Sequence, residues 1–167
     1  MTEVLNVKTD VEIPETGIAN EHHKRLAAGL CGVLADTYLL MVKTHGYHWN
    51  VVGPLFVSIH TLTETQYEDM FQAVDDLAER VRGLGYPAPG SITEMIPMSE
   101  IAEETGNPSA EQMVETLLAD HEKIVRRLRG TVEIADEMGD NVTSDMLTAR
   151  MAFHEKAVWM LRSTVAQ

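Results

Sequence analysis

Apolar residues recur along most of this chain at intervals of three and four, the period of a helix with one buried face. Leu26, Leu30, Val33, Leu34, Met41 and Val42 mark the first such run. A helix is predicted to open near Asn20, a good N-cap, and to reach about Val51. Gly53-Pro54 then breaks it, because proline has no amide hydrogen to donate. A second helix fits from about Phe56 to Leu84, closed by Gly83, Gly85, Pro87 and Pro89. Residues 85–107 read as a long connection with room for a short helix near Ile92 to Glu103. Asn107-Pro108 has the form of an N-cap followed by proline at the first helical position, opening a third helix that Gly139 ends. The fourth runs from about Thr143 to Val165. Residues 1–18 carry Pro14, Gly17 and scattered acids without a period, and read as an acidic, extended or mobile arm before one domain over 19–167.

Four long helices with the long connection in the middle describe an all-α, ferritin-like four-helix bundle. Composition agrees: at 167 residues and 44% hydrophobic the chain can bury a core and is not a disordered polymer. Cys31 is the single cysteine, so no intrachain disulfide can form. No run is expected to supply the roughly 18 apolar residues of a membrane span, and no basic-then-apolar leader is visible, which predicts a cytoplasmic protein without membrane contact. The net charge of -13 changes the picture more. So acidic a surface repels DNA phosphates and attracts cations.

The second helix carries two stripes. At about 100° per residue, Phe56, Ile59, Val74, Leu77, Val81 and Leu84 fall within about 40° of Met70, and this is the predicted core face. His60, Glu64, Asp75 and Glu79 fall at about 80° to 180° from it, with Phe71, Val57 and Ala78 among them. An aromatic ring among acids, off the core face, suggests a surface meant to be covered. His60 and Glu64 are four apart and can grip one ion; Asp75 and Glu79 repeat the spacing. Glu64 and Asp75 are separated by about 16 Å of helix, whereas bonds to iron-sized ions are only about 2 Å long. One helix therefore cannot bring both pairs to one ion. An antiparallel copy across a two-fold axis can, and would create two equivalent sites. His45 and His48, three apart at the end of the first helix, could approach His60. Imidazole and carboxylate donors suit iron, manganese or zinc. Spacing alone leaves solvated or salt-bridged side chains as the alternative, and leaves Trp49 and Trp159 as core or interface rings.

The segment HWNVVGPLFVSIHTLTE, followed by DDLAERVRGLG and later by NVTSDML and HEKAVWMLRS, resembles the Dps family, the mini-ferritins named as DNA-binding proteins from starved cells. The resemblance covers roughly residues 20–165. It implies a hollow homododecamer that oxidises Fe(II), usually with hydrogen peroxide, and stores ferric mineral. By position it assigns His48, His60 and Glu64 to one chain's share of a ferroxidase site, and Asp75 and Glu79 to its neighbour's. Trp49 would intercept stray oxidising equivalents, His45 would be accessory, and Asp140 and Asp145 would line acidic three-fold pores. Asp140 also reads as a helix cap and Asp145 as a favourable first-turn acid, roles compatible with lining a pore. None of the seven histidines has Asp or Glu three residues before it, which argues against an iron pair inside one bundle. His121 and His154 read as structural or surface residues.

Some members of that family bind DNA through a mobile Lys/Arg-rich terminal tail. Residues 1–20 hold Lys8 as their only Lys or Arg, against Glu3, Asp10, Glu12 and Glu15, and after Arg162 the chain ends STVAQ. Direct DNA binding is therefore not expected. The expected function is iron storage by a ferroxidase. A nucleoid-binding stress protein and a sequestering protein for Mn(II) or Zn(II) without turnover are the alternatives.

Overall fold

A computed structural model describes residues 10–165. The first nine residues of the predicted arm lie outside the described residues. Five helices follow in order: α1 Asn20–Asn50, α2 Phe56–Gly83, α3 Ile92–Met95, α4 Ala110–Glu137 and α5 Asn141–Val165. No strand occurs among the described residues. α1 packs along α2 and α4 along α5, and α1 against α4 joins the two hairpins into a bundle. Leu26, Leu30, Leu34 and Leu40 of α1 meet Ile59, Met70 and Leu77 of α2 in a core with Leu117, Ile124, Leu128, Leu147 and Leu161, all fully buried.

Four boundaries differ from expectation. Asn20 is the first helical residue rather than the cap; Ala19 precedes it and no side chain caps the end. Asn107-Pro108 does not open α4. Ser109 does, its hydroxyl accepting from the Gln112 amide while the Gln112 side chain accepts from the Ser109 amide. That reciprocal pair satisfies two end amides, where Asn at the same place would satisfy one. α5 begins at Asn141, because the Asp140 carboxylate caps it from the Thr143 amide at 3.0 Å. The short helix in the connection ends early, at Met95, and continues as a single 3₁₀ turn, Ile96–Met98.

The connection is pinned where it crosses α1. Asp36, fully buried, accepts from the Ser99 hydroxyl at 2.7 Å and the Glu100 amide at 2.6 Å, and pairs with Arg127 of α4 at 3.0 Å. Arg127 lies across Gly32, where any Cβ would collide with its guanidinium. Within the arm, the Glu12 amide bonds the Gly85 carbonyl at 3.0 Å, and Gly85 has φ +91°, so the described part of the arm rests on the end of α2. The expectation about membrane spans needs correction. α1 contains an 18-residue window apolar enough to cross one, yet 72% of it is buried among the other helices.

Candidate metal centre

The end of α1 and the start of α2 meet around two imidazoles. His48 Nδ1 stands 2.9 Å from the carbonyl oxygen of His60, and His60 Nδ1 stands 2.9 Å from that of His48. A carbonyl only accepts, so in both rings Nδ1 carries the hydrogen. In each neutral ring Nε2 is then a bare lone pair, the form that binds a metal ion. The rings stack with centroids 3.7 Å apart and planes 16° from parallel. His48 is buried and His60 half-buried.

Glu64, half-buried, lies one turn beyond His60 on α2. Asp75 and Glu79 are exposed on the same unbroken helix, about 16 Å along it from Glu64. The chain thus brings His48 and His60 together and leaves Asp75 and Glu79 apart from them. Among the described residues no three His, Cys, Asp or Glu side chains converge to hold an ion. Phe71 and Val57, within the same stripe, are 70% and 71% exposed. Phe56 departs from its predicted place in the core: it is 41% exposed and stacks on the His60 ring at 5.0 Å. It sits in the first turn of α2, beyond the reach of the opposing helices, so its ring covers the histidine instead.

Sequence reasoning passed over Tyr67. Its ring stacks on His45 at 4.1 Å and meets His48 edge-on at 5.2 Å, while the Trp49 ring also lies 4.1 Å from His45. Desolvation, and then the Glu64 and Glu68 carboxylates, raise the Tyr67 phenol above its usual range. The one available signal was its position three residues after Glu64. Trp49 and Trp159 are both largely exposed, so neither is a core ring.

The two aspartates proposed for pores separate. Asp145 is exposed. Asp140 is buried, held by Arg80 through both carboxylate oxygens at 2.6 and 2.7 Å and by the Thr143 hydroxyl. Burial would raise its carboxyl, but the bonds from Thr143 and Arg80 and the Arg80 charge outweigh it and hold the group below the usual range. Of its two candidate roles, the structure shows the cap. His121 and His154 are both buried and in contact, which makes them structural rather than surface residues.

Helix order, the long central connection and the internal packing together define a ferritin-like protein, and residues 27–167 match the family model of the ferritin-like domain. A low temperature-induced protein of Nostoc sp. is 44% identical over 119 residues, 70% of this chain and 66% of the relative, just under two thirds of its length. A DNA protection during starvation protein of Helicobacter pylori is 35% identical over 59% of this chain and 72% of its own. The crystal structure of a Dps protein from Bacillus brevis superposes with a TM-score of 0.84 at 35% identity, over 87% of this chain and 98% of that one. Within the ferritin-like class, the chain belongs to the Dps family.

Proposed function

We propose that this protein stores and detoxifies iron, oxidising Fe(II) with hydrogen peroxide at sites shared between two-fold-related chains and keeping the ferric product inside a hollow dodecamer. The observation that carries the reading is the reciprocal pairing of His48 and His60 through their backbone carbonyls. It costs each ring its Nδ1–H and leaves two bare Nε2 atoms beside Glu64, a preformed half-site for a borderline ion such as Fe(II). Asp75 and Glu79 of a second chain would complete it, with exposed Phe71 and Val57 covered in the same contact.

The donor set gives a direction to the chemistry. Neutral imidazoles accept Fe(II), while three carboxylates favour the more highly charged Fe(III) and lower the cost of losing an electron. Two Fe(II) ions give one electron each to peroxide; its O–O bond breaks and, with two protons, it leaves as two waters. Consuming Fe(II) and peroxide together suppresses hydroxyl-radical formation, so DNA is protected without being touched. Asp145 is exposed to draw cations toward a three-fold pore, while Asp140 braces the turn before it. Trp49 and His45, beside the site, are accessory.

Stopped-flow oxidation of Fe(II), with peroxide and with oxygen in parallel, tests the assignment on wild type and on His60→Ala/Asp75→Ala. The double variant should be slower by at least about tenfold, the scale expected for losing metal ligands. Equal rates would refute the site, and a faster reaction with oxygen would refute the choice of oxidant.

A further inference from the structure

α4 and α5 are joined inside the bundle by a contact that the iron site does not use. His121 and His154 are 0% and 1% exposed, and their Nδ1 atoms stand 2.8 Å apart. A neutral imidazole has one N–H and one lone pair, so one ring donates to the other. The arrangement leaves no favourable place for a further proton on His121. If His121 donates, a further proton on it must go to its bare Nε2, which is buried with no hydrogen-bond partner among the described residues. If His121 accepts, a further proton on its Nδ1 sets N–H against N–H and breaks the contact. Two charged rings face to face repel as well.

Among the described residues, the charged groups that act on the pair are already engaged. Asp120, preceding His121, is buried and already paired with Lys43 of α1 and with Lys123 at 2.8 Å. Arg150 of α5 is itself a cation; it pairs with Asp69 of α2 at 2.6 Å, and its guanidinium lies 4.5 Å from the Phe153 ring.

We propose that the His121–His154 pair is a proton-sensitive latch, which holds α4 to α5 while neutral and parts them when it is protonated in mild acid. Burial first, and then Arg150, hold His121 well below the usual imidazole range, against the pull of Asp120; burial, His121 and Arg150 do the same for His154. An unfolded chain protonates these rings at about pH 6.5. Below that value the unfolded or parted state binds more protons than the closed one, so stability falls as pH falls. Above it both states are neutral and the latch is indifferent to pH. Each ring can change the equilibrium by up to about tenfold per pH unit.

The latch does not rest on the iron chemistry, so its test uses the iron-free protein. Hydrogen exchange of α4 and α5 amides, corrected for the intrinsic rate, is followed from pH 7.5 to 5.0 in wild type and in His121→Gln/His154→Gln, which keeps a hydrogen-bonding pair that cannot titrate. Wild type should lose protection in α4 and α5 by at least about tenfold between pH 6.5 and 5.0. The variant should stay flat. Histidine ring NMR on the wild type alone gives a second readout: both rings should remain neutral in the closed state across that range. Parallel falls in both proteins, or rings that protonate near pH 6.5 with α4 and α5 still protected, would overturn the proposal.

Discussion

A histidine binds a metal ion through a nitrogen that carries a lone pair, and the backbone of this chain decides which nitrogen that is. The reciprocal bonds between His48 and His60 fix both tautomers before any ion arrives. Phe56 then restrains the His60 ring from one side. Phe56→Ala should weaken Co(II) binding, titrated by its visible spectrum, by several-fold to tenfold, with the helical circular dichroism unchanged. Asp140→Asn should destabilise the fold by about 2 kcal/mol in urea unfolding, because it keeps a cap but leaves half-buried Arg80 without its charge partner. Asp140 titrates below its unfolded value, so its contribution is present above about pH 3.9 and fades as pH falls through the folded value. The gap between variant and wild type should narrow in that window. The spacing of His60, Glu64, Asp75 and Glu79 was legible because a helix has one period. The tautomers were not, since they depend on where two carbonyls arrive when separate helix ends meet. The paired burial of His121 and His154 was within reach. His121 falls in register with Leu117, Ile124 and Leu128, and His154 with Leu147, Ala157 and Leu161, all buried positions.

Helices are the level at which sequence spoke most plainly. α2 runs from Phe56 to Gly83, and its predicted end lay one residue further, at Leu84. Apolar period and Gly-Pro punctuation are local signals, and local signals fix local structure. Where two competent caps stood side by side, as at Asn107 and Ser109, the choice depended on a residue further on: Gln112 answers Ser109. Ser109→Ala removes the hydroxyl half of that box and should lower stability by about 1 kcal/mol, read as a shift in the urea midpoint at fixed protein concentration. The long connection was legible as a connection only. Its course is set by Asp36 and Arg127, 91 residues apart in number, and by a glycine that admits the arginine.

For the whole molecule, exposure and charge set what it can meet. Phe71 stands open beside the acids of α2. Phe71→Glu should break the proposed two-fold contact, giving smaller species by light scattering and losing Fe(II) oxidation although every metal ligand remains. A dodecamer of unchanged activity would contradict the shared site. With net charge -13, duplex DNA should not be retained in a filter assay at physiological salt and neutral pH.

α1 is made before α2, α4 and α5, and its apolar face is covered by those helices, which do not yet exist when it leaves the ribosome. Its neighbour α2 is complete only at Gly83, 33 residues after Asn50. At about 5–20 residues per second that is a delay of roughly 2–7 s. During it, a segment apolar enough for a bilayer lacks the helices that will bury it. The buried face of α2, with Ile59, Met70 and Leu77, and the Gly-Pro turn before it therefore matter to the nascent chain as well as to the finished one, since the hairpin they form brings the first of the described helices able to hide that face.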